Sequence, residues 1–232
     1  VFHMSDKKRK EHNVSNDDVV QRIVDNMNSK QNKLNEYVGA NLPRLTFSYD
    51  EVDGRTNHPL NFQYSTIKDL DLTRANVKQG INLSNAEVGS ISLEDATIHG
   101  DFVANGTQFK GLVNMEEADF LRNGEFEGAK FSGEVRLDEM VFEDESTFVD
   151  AVFNEKAKIR GVTFSGKSHE IDNNSDFTGC EFRNEAMFDH SHFEHVKFED
   201  MTFKDIVSFN QSTFNGDSIF DNSVFDSDTE FK

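Results

Sequence analysis

From Ile67 to the end of the chain a large apolar side chain returns every five or six positions, a rhythm that no α-helix shares. The series runs Phe109, Met115, Phe120, Phe126, Phe131, Leu137, Phe142, Phe148, Phe153, Ile159, Phe164, and its alternating steps of six and five make the true repeat 11 residues. After a seven-residue step to Ile171 it resumes at Phe177 and continues through Phe182, Phe188, Phe193, Phe198, Phe203, Phe209, Phe214, Phe220, Phe225 and Phe231. Two positions before most of these stands a small residue, among them Ala118, Gly124, Ala129, Ser146, Ala151, Cys180 and Ser191. In an extended segment residues i and i−2 point to the same side, so each short strand sends one small and one large group inward. Repetition of this kind specifies a solenoid whose coils bury a continuous core only by stacking.

The exceptions to Phe count the strands in each coil. Met115, Leu137 and Ile159 lie 22 residues apart, and stepping back in the same register reaches Leu93 and Leu72. One file thus stays aliphatic while its neighbours become Phe, as four strands per coil require. The expected files are Ile67, Val88, Phe109, Phe131, Phe153, Phe177, Phe198, Phe220 on the first face and Leu72, Leu93, Met115, Leu137, Ile159, Phe182, Phe203, Phe225 on the second. The third holds Val77, Ile98, Phe120, Phe142, Phe164, Phe188, Phe209, Phe231, and the fourth Leu83, Ala104, Phe126, Phe148, Ile171, Phe193, Phe214. At Ala104 the large group moves to Phe102. No proline interrupts residues 65–232, in keeping with a ladder that uses its N–H groups. Without this order, 35% hydrophobic content and a net charge of −19 would suit a disordered chain.

Triplets such as Ala118-Asp119-Phe120, Gly124-Glu125-Phe126 and Ala129-Lys130-Phe131 resemble the pentapeptide-repeat family, whose usual unit is Ala-(Asp/Asn)-Leu-x-x. The resemblance spans residues 65–232. It departs from the family in using Phe for Leu and in adding a residue to every second unit, which is most similar to the Phe-rich branch. It implies an all-β fold, a right-handed quadrilateral parallel β-helix of about eight coils. It also implies protein binding in place of catalysis, since the best-understood relatives are quinolone-resistance proteins that imitate DNA in the DNA-binding saddle of gyrase. The irregularity around Ser165–Ser175, one or two residues too long in this register, is shorter than the projecting loop such proteins often carry, which weakens the gyrase comparison.

Charge is unevenly spread. Residues 1–64 are neutral, with 9 basic and 9 acidic residues, so all 19 net negative charges fall in residues 65–232. Over a rod of roughly 37 Å that is one charge per ~2 Å, comparable with ~1.7 Å for duplex DNA. Such a segment repels nucleic acid and anionic membrane surfaces and suits a protein partner with a basic surface. In the expected register Arg74, Arg136, Lys158, Arg160, Arg183 and Lys204 cluster on the second face. The fourth face carries no Lys or Arg and presents Glu125, Glu127, Asp150, Glu170, Asp172 and Glu194, the expected partner-binding stripe. Solvated strands also hold acids simply for solubility and to discourage edge pairing.

The remainder divides into residues 1–14, a basic tail behind a short tag remnant, and residues 15–64, a helix over 15–38 followed by connecting turns and an irregular first coil. The helix is expected to cap the solenoid. At the other end Phe225 and Phe231 lie in a final coil without a cap, the expected edge for a homodimer or for continuation of the chain, including into membrane segments. One cysteine and no apolar run long enough for a membrane span point to a reducing, cytoplasmic setting. No cofactor, metal or catalytic residue is expected. His190, His192 and His195 with Asp189 and Glu194 form the only metal-like grouping and sit outside, near a corner; Cys180 fills an inward slot. Glu116-Glu117 and Asp138-Glu139 are charge runs without a cleft.

Overall fold

The computed structural model describes residues 37–47, 51–52, 59–166 and 175–232. Within these, two-residue strands pair in parallel with strands one coil away, and no helix occurs among the described residues. Four inward files line the coil. Phe126 and Phe148, whose exposure would have overturned this register, are each 1% exposed.

The alternation of five and six has a local cause. Five-residue steps leave the second and fourth faces through a tight turn, in which Ala118 N donates to Met115 O at 3.2 Å and Glu117 takes φ of 57°. A positive φ at the third turn residue is the type II signature. Asn85, Glu139, Asp150, His190, Asp200 and Asn222 occupy the same position. Six-residue steps leave the first and third faces through a wider corner. In the coils of Thr66–Asp71 and Glu87–Ser92 the first-to-second corner is absent, and one strand runs through both faces. The corner opens farther along, where Gly89, Gly111 and Gly133 stack; a Cβ on Gly133 would lie 2.5 Å from Gly111 O.

The ladder takes in the irregular first coil expected before residue 65, because Leu42 pairs with Ile67, Leu45 with Leu70, Val52 with Val77 and Leu60 with Ile81. Residues 1–36, which hold nearly all of the expected capping helix, lie outside the described residues; Tyr37–Gly39 form a turn. Tyr37 is buried against Phe62 with ring centroids 5.9 Å apart, so a side chain covers this end of the core.

One correction is the register after Phe164. Phe153 is in register with Phe182, Phe164 with Phe193, and Lys158 with Met187, which sets Ile159 beneath Phe188. Phe148 stacks on Phe177 at 4.9 Å. Every residue after the interruption is therefore displaced by one face from the expected files. The fourth file runs Phe126, Phe148, Phe177, Phe198, Phe220, and the first Phe109, Phe131, Phe153, Phe182, Phe203, Phe225. The second ends in Phe188, Phe209, Phe231, the third in Phe164, Phe193, Phe214. The path from Phe164 to Phe177 holds seven residues more than the equivalent path from Phe142 to Phe148, and Ile171 lies outside the described residues. The expected excess of one or two residues is thereby replaced by seven.

Candidate interaction surface

The tight turn at the end of the fourth face places acids on its outer edge. Glu125, half-buried on the strand, accepts a hydrogen bond from Asn105 Nδ2 at 2.8 Å, while Glu127 N donates to Asn105 Oδ1 at 2.9 Å. The Glu127 side chain is exposed, as is Asp150 in its left-handed turn position. These three expected site residues share the fourth face. Glu194 does not; it follows Phe193 and belongs to the third face, where His192 Nε2 lies 2.8 Å from its Oε1. That contact holds the Glu194 carboxyl below its ordinary range. Glu170 and Asp172 lie outside the described residues.

The displaced register moves other acids into the stripe. Asp176, Glu199, Asp200 and Asp221 extend the fourth face beyond Asp150. It also puts Lys197 there, so the expectation of a face without cations fails; Lys197 Nζ lies 3.9 Å from Asp176. Arg183 and Lys204 move from the second face to the first. At the corner between the third and fourth faces the Glu145 carboxyl is pushed up, first by burial and then by Glu125, Asp144 and Asp176 around it. Asp119 is raised likewise, by burial and by Asp95.

Several cations of the first and second faces are taken up by neighbouring acids: Arg74 with Asp95 at 3.3 Å, Lys158 with Glu134 at 2.8 Å, Lys156 with Glu185 at 2.6 Å, and Arg160 with Asp138. Hydrogen bonds from Lys158 and then Arg136 hold Glu134 down to about 2. Glu127, Asp150, Glu199, Asp200 and Asp221 have no ion pair among the described residues. Acids without an ion pair also occur on the second face, at Glu116, Glu117 and Glu139; what sets the fourth face apart among the described residues is its single Lys or Arg, Lys197.

His192 Nδ1 meets Thr213 Oγ1 at 2.6 Å, His195 Nδ1 accepts from Asp217 N at 3.1 Å, and no metal-holding cluster occurs among the described residues. Cys180 is fully buried, its Sγ–H directed at Phe148 O, and burial pushes its thiol far up. At the far end Phe220, Phe225 and Phe231 are exposed, the last by 60%, and Phe209, Phe214, Phe220 and Phe231 line an open hollow of about 530 Å³.

Residues 188–232 match the family model for pentapeptide repeats, nine copies, and they continue the four files set by the coils before them. The chain carries pentapeptide repeats. No curated protein sequence matches it. Among solved structures it is similar to HetL, a pentapeptide repeat protein involved in heterocyst differentiation regulation from the cyanobacterium Nostoc sp. strain PCC 7120. Identity is 11%, over 89% of this chain and 93% of that one, with a TM-score of 0.26. No helix among the described residues is long and apolar enough to cross a membrane.

Proposed function

We propose that this pentapeptide-repeat chain is a non-enzymatic protein-interaction rod that presents its third and fourth faces to a basic surface of a partner protein. The observation that carries this reading is the run Glu127, Asp150, Glu199, Asp200 and Asp221, acids without an ion pair on a fourth face whose single Lys or Arg among the described residues is Lys197. A partner that itself handles DNA, such as a type II topoisomerase, has the complementary groove, and the rod would occupy it by imitating DNA charge. Binding of this kind weakens steeply with salt. The test is charge reversal at Glu127, Asp150, Glu199 and Asp200, with binding to a purified type II topoisomerase measured at low and high salt. Lost binding by the variant and salt-sensitive binding by the parent chain support the proposal; equal affinity in both chains or at both salts rejects it.

The exposed Phe220, Phe225 and Phe231 favour a second reading, a structural scaffold in which two chains join through the open coil. Sedimentation of the parent chain beside a Phe225→Ser, Phe231→Ser chain decides it, because charge reversal leaves this association intact.

A further inference from the structure

Three Asn-Gly pairs lie in the described coils, at Asn105-Gly106, Asn123-Gly124 and Asn215-Gly216. Asn-Gly is the dipeptide in which the backbone nitrogen reaches the preceding side-chain amide with least obstruction, since glycine has no Cβ. The fold treats the three differently. Gly106 N donates to Glu127 O at 2.7 Å, and Asn105 is held at both ends of its amide, by Glu125 and by Glu127 N. Gly124 N donates to Glu145 O at 2.9 Å and Gly124 is buried. Asn215 and Gly216 are both exposed; the Asn215 side-chain amide meets the Glu194 carboxylate, as Asn105 meets Glu125, but Gly216 N has no hydrogen-bond partner among the described residues. Gly216 also sits in the left-handed region, φ +65°, with the His195 ring against the space a side chain would need.

We propose that Asn215-Gly216 is a self-modification site at which the Asn215 amide converts to a carboxylate without an enzyme. Gly216 N attacks Asn215 Cγ and gives up its proton; the Cγ–Nδ2 bond breaks, and the nitrogen leaves as ammonia with that proton. Water then opens the cyclic imide, its hydroxyl going to one carbonyl carbon and its hydrogen to the nitrogen, which yields Asp or its β-linked isomer. No oxidant or cofactor takes part. The product adds a negative charge beside Glu194 and Asp217 on the third face. The β-linked form also lengthens the main chain at a point where Asn215 N donates to Phe193 O at 2.8 Å.

The test incubates the full chain at mildly alkaline pH over several days, then locates amide-to-acid mass shifts by peptide fragmentation and the β-linked product by isoaspartyl methyltransferase labelling. Asn215 is expected to convert about tenfold faster than Asn105 or Asn123, the ratio that one retained backbone hydrogen bond sets. Labelling is expected to vanish in an Asn215→Gln chain. Comparable rates at the three sites, or no conversion at Asn215 in the folded chain while the urea-unfolded chain converts, would overturn it.

Discussion

Gly124 is the smallest inward group of the fourth face, and its missing side chain is used. A Cβ there would lie 2.7 Å from Phe142 Cε1 and 3.2 Å from Phe120 Cδ2. This is also where the stacked pattern breaks, because Phe120 and Phe142 meet edge to face at 81°, whereas Phe142 and Phe164 stack at 7°. Gly124→Ala overpacks that junction and is expected to lower stability by roughly 1–3 kcal/mol, seen as a lower urea midpoint at unchanged slope. At this scale the sequence was legible in part. Gly124 could be read as a small inward residue from its place before Phe126, yet nothing in the spacing told Gly from Ala, because the ring orientation of Phe142 decides it.

Between coils, the small-residue files have a second task. Most tight turns close on themselves, as Ala151 N does on Phe148 O, but Val162 N donates instead to Ser191 Oγ, 3.1 Å away in the next coil. Ser191 Oγ in turn donates to Ile159 O at 2.6 Å, so one buried hydroxyl completes the turn beneath it. Ser191→Ala leaves the Val162 N–H buried without its acceptor. A loss of about 1–3 kcal/mol is expected by chemical denaturation, with faster amide exchange at Val162. Ser146, whose hydroxyl meets only Ser175 Oγ, is expected to tolerate the same change better. The strand rhythm was fully legible, and so was the four-fold coil. The register after Phe164 was misread because Ile171 stands seven residues after one file member and six before the next, and so imitates a strand. The step lengths held only part of the correction. Between Leu93 and Phe164 five-residue steps leave the second and fourth faces, and the five from Phe177 to Phe182 fits the fourth, but Ile67 to Leu72, Val88 to Leu93 and Phe193 to Phe198 break that rule, so spacing alone does not fix the register.

For the whole rod, the acidic surface is a cost to the free chain as well as the proposed means of binding. Like charges along one side repel, and salt screens that repulsion. Glu145 shows the effect locally: its carboxyl is raised by burial and by Glu125, Asp144 and Asp176, so its ionised form opposes folding. A carboxyl with a raised folded-state pKa favours the fold below its unfolded value and loses that contribution as pH rises through the folded value. Glu145→Gln is therefore expected to raise Tm at neutral pH and to lose that advantage in acid. Glu134, held at about 2 by Lys158 and Arg136, acts with the opposite sign; its contribution is present above the unfolded carboxylate value and fades as pH falls towards 2. Salt then separates folding from binding. Added sodium chloride should raise the Tm of the free rod by screening its own faces, while the affinity for a basic partner falls. Thermal melts and binding isotherms over one salt series measure both slopes. If both fall with salt, the acids of the third and fourth faces do not strain the free rod. If both rise, the partner is not held by charge.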